Sequence, residues 1–226
     1  FNLGVALLRG NRLEEGARLL DQIGQIRTAD EEMLALRDKA NLALGFAWLQ
    51  DKQPARARAA LERVRLDGAQ SSRALLGLGW ADVELGQYES ALTPWLELRD
   101  RNLLDAAVQE AYLAVPYAFA RLGANSQAAE YYEQALTSFG RETGRIDESI
   151  GRIREGRLMQ NLLGEPDGKA PQRGWFWQLQ DLPDAPESRY LYPIFAGNDF
   201  QEGLKNFRDL SYLGATLERW DENMVV

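Results

Sequence analysis

The chain has 226 residues and a formal net charge of −8, from 26 Lys and Arg against 34 Asp and Glu. It contains no His and no Cys, which excludes a Ser-His-Asp triad, a thiol nucleophile and a zinc site built from imidazole or thiolate ligands. The excess of acidic residues argues against nucleic-acid binding, because a phosphate backbone is bound by clustered positive charge. The sequence contains no run of about 18 apolar residues, the length that a membrane-spanning helix requires.

Apolar residues recur at helical spacing along most of the chain. The predicted helices are 1–9, 12–26, 30–51, 54–66, 72–86, 89–101, 104–123, 126–139, 146–163 and about 199–223. Residues 28–31, Thr-Ala-Asp-Glu, form a capping box led by Thr28, and Pro54 suits the first turn of its helix. Pro94 and Pro116 fall inside predicted helices, where we expect kinks and no breaks.

Small residues recur in a fixed frame with respect to large ones. Gly79 has Ala91 twelve residues after it, and Trp95 lies four residues beyond Ala91. The frame occurs again around Gly45, which lies 34 residues before Gly79, and around Gly4, a further 41 residues before Gly45. A fourth occurrence is centred on Pro116, 37 residues after Gly79. Four matches in chain order indicate an internal repeat.

This pattern resembles the tetratricopeptide repeat, W-x2-L-G-x2-Y followed by A-x3-F in a unit of about 34 residues. The resemblance covers residues 1–140 and implies four helix hairpins in an all-α fold, a right-handed α-α superhelix or solenoid. In such a fold, small residues such as Gly45 and Ala57 let paired helices approach closely, and each hairpin shares its apolar face with the next.

The remainder of the chain is predicted to be a helical C-terminal extension. Residues 141–164 form a capping helix, and residues 165–198 form a connecting segment rich in Pro and aromatic residues, in which Trp175 and Trp177 should pack on the chain itself. Residues 199–226 form a long amphipathic helix. Its apolar stripe has a heptad-like spacing and consists of Phe200, Leu204, Phe207, Leu210, Leu213, Leu217, Trp220 and Met224. We favour burial of this stripe along the chain's own repeats over an intermolecular coiled coil, which would make the chain a homo-oligomer.

The family resemblance also implies a ligand groove lined by the first helix of each pair. Eight residues occupy groove positions: Phe46, Trp80 and Tyr117 directly after the small residue, Leu42, Leu76 and Leu113 three residues before it, and Leu49 and Val83 four residues after it. Some family members use basic and amide side chains at these positions to bind a C-terminal carboxylate. Leu and aromatic residues stand there in this chain, so the expected ligand is an apolar peptide or amphipathic helix of a protein partner.

Catalysis has little support in the sequence. Glycosidase-type chemistry needs two carboxylates at a suitable separation, but close pairs such as Glu14 and Glu15 lie on predicted helix surfaces, where acids are ordinary solvating groups. No Gly-rich loop typical of a nucleotide site is present. We therefore expect no catalytic residue, no metal and no cofactor.

Two functions from different classes fit these observations. The preferred one is a non-catalytic protein-protein interaction scaffold with an open groove. The alternative is a structural or accessory module whose groove is filled by its own C-terminal segment and which supports assembly or a larger enzyme. The chain starts at Phe1 and is far richer in Arg than in Lys, which suggests a fragment or processed form of a bacterial protein, with a periplasmic or cell-envelope location slightly favoured over a cytoplasmic one.

Overall fold

The computed structural model describes residues 1–163 and 185–224. Over these ranges the chain is all-helical and contains no strand, which confirms the all-α part of the predicted fold class. The helices are α1 (Asn2–Arg9), α2 (Leu13–Gly24), α3 (Glu31–Gln50), α4 (Pro54–Leu61), α5 (Ser71–Glu84), α6 (Tyr88–Arg99), α7 (Ala106–Arg121), α8 (Asn125–Arg154), α9 (Arg157–Leu163), α10 (Ser188–Phe195) and α11 (Asn198–Met224).

Residues Phe1–Thr137 form one compact unit. In this unit each helix from α1 to α6 packs against the helix that follows it. In addition, α3 contacts α5, and α5 contacts α7, so these three helices lie side by side. The packing of α1 with α2, of α3 with α4 and of α5 with α6 agrees with the first three predicted hairpins. The fourth hairpin and the right-handed tetratricopeptide superhelix stay predictions.

The helix pairs are joined by one recurrent turn. Four residues with positive φ occupy these turns, each seven residues after the small residue of its frame: Asn11, Lys52, Gly86 and Gly123. At Gly86 the amide donates to the Val83 carbonyl at 2.9 Å and the next amide, of Gln87, donates to the Asp82 carbonyl at 2.8 Å. The other three turns have the same pair of hydrogen bonds, which satisfy the last carbonyls of the first helix. The sequence repeat is therefore also a repeat of backbone conformation.

Close packing between paired helices explains the small residues of the frame. A Cβ at Gly79 would overlap the indole of Trp95, and a Cβ at Gly45 would overlap Leu61. Ala57 and Ala91 are fully buried, which confirms their predicted position between helices. The Trp95 indole is also fully buried and donates its N–H to the Leu76 carbonyl at 3.2 Å.

Several predicted helix ends differ from those observed. The N-cap of α3 is Asp30, not Thr28, and its carboxylate accepts the Met33 N–H at 2.8 Å. The break predicted between residues 139 and 146 is absent, because α8 runs through Gly140 and Gly144. Each interior Gly costs a helix only about 1 kcal/mol, which does not end a long helix. The helices α6 and α7 continue through Pro94 and Pro116, as predicted.

Residues Ser138–Val226 form the second compact unit. Its described core consists of Leu158, Leu162, Phe195 and Leu204. The helix α10 was not predicted, since its sequence contains Pro193 and lies in the segment expected to be a connection. The Tyr190 hydroxyl donates to Glu142 at 2.8 Å, and burial together with this carboxylate raises the pKa of Tyr190. Trp175 and Trp177 lie outside the described residues.

The apolar stripe of α11 is divided between core and surface. Phe200 and Leu204 pack in the core of the second unit. The later members are not covered by the rest of their unit: Leu210 is 67 %, Leu217 52 % and Trp220 62 % exposed. Burial of this stripe along the chain's own repeats stays a prediction. Homo-oligomer formation through this helix stays a prediction. None of the described helices is both long enough and apolar enough to cross a membrane.

Candidate functional site

The predicted groove aromatics lie on three adjoining helices. Phe46 on α3, Trp80 on α5 and Tyr117 on α7 share one frame position and are half-buried. We call the surface of α3, α5 and α7 that carries these rings the first-helix face. The ring centroids of Trp80 and Tyr117 are 6.2 Å apart, and those of Trp80 and buried Trp95 are 5.0 Å apart in an edge-to-face arrangement. The face is therefore partly aromatic surface and partly an extension of the core.

Charged side chains that were not predicted accompany these rings. The Arg73 guanidinium lies 5.8 Å from the Phe46 ring centre, and Glu110 accepts the Trp80 indole N–H at 2.7 Å. Arg73 and Glu110 each lie six residues before the small residue of the next frame. This shared position is the sequence signal that could have revealed the two charged residues, because it places Arg73 beside Phe46 and Glu110 beside Trp80, the aromatic residue of the preceding repeat in each case.

A second cation lies at the α7 end of the face. The Arg121 guanidinium is 4.8 Å from the Tyr88 ring centre and donates to the Tyr117 hydroxyl at 3.4 Å. The Tyr88 and Tyr117 rings are themselves 6.4 Å apart. Cations over aromatic faces are favourable and fix ring orientation. The first-helix face is therefore amphipathic, whereas the sequence had suggested a purely apolar surface.

The other predicted groove residues differ in how much surface they offer. Leu42 and Leu76 are core side chains, 4 % and 8 % exposed, and they have little surface for a partner. Leu49 and Val83 are half-buried against the core clusters. Leu113 is 53 % exposed. The accessible part of the predicted site is therefore formed by the three rings and Leu113.

A different crevice lies between α2 and α4, above α3, and encloses about 230 Å³. Its floor includes Trp48, and the Arg56 guanidinium stacks 3.3 Å from the centre of that ring. Ion pairs join its two sides: Arg56 with Glu14 at 3.1 Å, and Arg63 with Asp21 at 2.8 Å. We call this the α2–α4 crevice. Its acidic and basic side chains pair with each other across the gap.

The corresponding crevice one repeat later, between α4 and α6 and above α5, is larger, at about 730 Å³. We call it the α4–α6 crevice. Its apolar lining is Leu66, Leu75, Leu78, Pro94 and Leu96, and its charged lining is Arg58, Glu62, Asp82, Glu97 and Asp100. Four carboxylates thus face one cation among the lining residues.

Three substitutions within the frame account for the difference between the crevices. At a spacing of 34 residues, Trp48 is replaced by Asp82, Arg56 by Ser90 and Arg63 by Glu97. The first two replace large side chains by smaller ones and so open the space. The third converts the cross-crevice cation into an acid. Trp48 stands at the Tyr position of the repeat, so Asp82 at the same position is a departure from the pattern that the sequence shows. Arg56 and Arg63 lie outside the small and aromatic positions of the frame, which is why the repeat pattern alone did not predict the crevice.

The fold and these surfaces define an all-helical array of consecutive helix pairs with two candidate binding surfaces. No group of three or more acidic side chains that could hold a metal ion occurs in the described part of the chain. No protein-family model, curated protein or solved structure was found to match the chain.

Asp82, in the floor of the α4–α6 crevice, should make stability depend on pH. It is 3 % exposed, and Arg58 donates to it at 2.8 Å, but burial outweighs this bond and raises the pKa of Asp82. A carboxyl with a pKa raised by folding stabilises the fold below its unfolded pKa, and this contribution is lost as pH rises through the folded value.

We therefore expect the Asp82→Asn variant to gain stability relative to the parent chain as pH rises through this range, because Asn does not titrate. Urea unfolding of both chains at a series of pH values measures the effect. A difference in unfolding free energy that stays constant with pH would show that the burial of Asp82 has no such consequence.

Proposed function

We propose that this chain is a non-catalytic protein-protein interaction scaffold whose first-helix face binds an apolar peptide or helix. The observation that carries the proposal is the row of Phe46, Trp80 and Tyr117 at one frame position on adjoining helices. Aromatic anchors of this kind supply much of the binding energy at protein interfaces. The four equivalent turns support the resemblance to tetratricopeptide repeats, whose first helices bind ligands.

The central ring of the face, Trp80, is held in place before any ligand binds. Trp80 is fixed by the edge of Trp95, by its hydrogen bond to Glu110 and by the Tyr117 ring. Immobilising a flexible side chain on binding costs about 0.5–1.5 kcal/mol. Because Trp80 is already ordered, a ligand that packs on it avoids most of that cost.

The chemistry of the face also defines the ligand. Leu113 lies three residues after Glu110 and four before Tyr117, so the three side chains share one side of α7. An apolar ligand side chain can pack on Leu113 and the rings, while Glu110 and Arg121 provide a polar border. The ligand that fits best is an amphipathic segment with an apolar side chain at its centre and polar groups at its edges.

Peptide selection followed by a point substitution tests the proposal. A random peptide library is selected on the purified chain, and the affinity of the selected peptides is then measured for the Leu113→Lys variant by fluorescence anisotropy. Leu113 is exposed, so the variant should fold, while the added ammonium interrupts the apolar surface. We expect peptides enriched in apolar residues to bind this variant at least about tenfold more weakly.

The control is Leu136→Lys, which introduces the same charge at a 75 % exposed Leu of α8. Selected peptides should bind this variant as they bind the parent chain. Equal affinity for the parent chain and for Leu113→Lys, across all selected peptides, would contradict binding at the first-helix face.

A further inference from the structure

Acidic side chains outnumber basic ones in the lining of the α4–α6 crevice, whereas they do not in the lining of the α2–α4 crevice. In the α2–α4 crevice Asp21 and Arg63 form an ion pair across the gap at 2.8 Å. One repeat later, Arg63 is replaced by Glu97, which shares the lining with a second acid, Glu62, and two acids cannot pair with each other. The array therefore contains, in successive repeats, one crevice bridged by its own ion pairs and one with an excess of acidic side chains.

The cations near the α4–α6 crevice only partly neutralise it. Arg58 bonds to Glu62 at 2.7 Å and to Asp82 at 2.8 Å, so one guanidinium serves two carboxylates. Glu97 has an ion pair with Arg101 at 3.4 Å, and its side chain is still 58 % exposed. The crevice thus has an excess of negative charge that a cation from outside can complement.

The apolar lining restricts what kind of cation fits. Leu75, Leu78 and Leu96 form much of this lining, and Leu66 is 66 % exposed. A small hydrated ion makes no use of such surface. An Arg or Lys side chain does, because its aliphatic stem packs on apolar groups while its charged end stays with the carboxylates. Arg fits better than Lys, since its planar guanidinium can bond a carboxylate with two N–H groups.

The size of the crevice indicates more than one ligand side chain. Its volume of about 730 Å³ is within the usual range for binding pockets, roughly 300–1,000 Å³. We propose that the α4–α6 crevice is a second binding site, for a segment of a partner protein in which Arg residues are interspersed with apolar residues. This site is separate from the first-helix face and adds a basic class of partner to the apolar ligand proposed above.

A synthetic peptide tests the site directly. The probe is a fluorescein-labelled peptide in which Arg alternates with Leu, and its binding to the full chain is followed by fluorescence anisotropy. The test variant is Glu97→Arg, which restores the type of cation that Arg63 provides in the α2–α4 crevice. Because the Glu97 side chain is exposed, the variant should fold, which its circular dichroism spectrum checks. We expect affinity for the probe to fall at least about tenfold.

Two controls separate this site from general attraction to an acidic protein. Glu148→Arg makes the same change in net charge at an exposed position of α8 and should change affinity less than about twofold, since well-separated surface charges are screened by salt. A second peptide, with Ser in place of every Leu, should bind the parent chain more weakly than the probe. The proposal is overturned if Glu97→Arg binds the probe as the parent chain does, if Glu148→Arg weakens binding equally, or if the Ser peptide binds as tightly.

Discussion

Gly79→Ala should destabilise the chain by about 3 kcal/mol, although it adds a single methyl group. The Cβ at this position would overlap the indole of Trp95. Trp95 has little freedom to move away, because it is fully buried, bonded to the Leu76 carbonyl and in edge contact with Trp80. Overpacking a rigid core typically costs about 1–3 kcal/mol, and we expect this site to lie at the upper end.

Gly140→Ala provides the matched control for this substitution. Gly140 is also helical, but no heavy atom from outside its own stretch of helix backbone lies within 4 Å of its Cβ position in the described part of the chain, so Ala should stabilise α8 by up to about 1 kcal/mol. Urea unfolding followed by circular dichroism measures both variants. If the two variants had equal stability, the close contact between Gly79 and Trp95 could not be a determinant of the packing.

Trp95→Ala should destabilise the chain by about 3–5 kcal/mol, at least as much as Gly79→Ala. The indole is fully buried in the cluster that includes Leu98, Val108 and Val115. Its removal leaves a cavity among side chains contributed by α5, α6 and α7, and it also removes the hydrogen bond to the Leu76 carbonyl.

The exposed Trp220 is the control for this loss. Its side chain in α11 is 62 % exposed, so Trp220→Ala should change the unfolding free energy by less than about 0.5 kcal/mol. Thermal melting under identical conditions compares the two variants. A Trp95→Ala chain that melts together with Trp220→Ala would show that the α5–α6–α7 core does not depend on this ring.

The parts of the fold that depend on local contacts could be predicted from the sequence. The spacing of Gly45 to Ala57 and of Gly79 to Ala91 predicts paired helices, because a small residue on each helix is what close approach requires. The frame is also consistent with the positions of the turns, since Gly86 and Gly123 follow their frame residues at the same distance. These features are set within one repeat and need no information from elsewhere in the chain.

Other features depend on contacts that periodicity does not contain. Gly140 and Gly144 lie where a break was predicted, yet α8 continues through both because their cost is small for so long a helix. The pairing of Trp80 with Glu110 joins different repeats, so it is found only when the charged position of one repeat is compared with the aromatic position of the repeat before it. Leu210 is exposed because the rest of its unit does not cover that part of α11. The sequence could not predict this, since a heptad-like stripe has the same spacing whether it is covered or exposed.

In the first unit the main packing contacts join helices of the same pair or of adjoining pairs, and this has a consequence at the level of the gene. An in-frame deletion of residues 45–78 would join Leu44 to Gly79, which restores the Leu-Gly pair that stands at both places in the chain, and would keep the helical phase. A duplication of residues 45–78 would likewise keep a Leu-Gly pair at each junction. Recombination can therefore change the number of repeats without creating a new type of helix junction, and one crevice can diverge in charge while its neighbour stays unchanged.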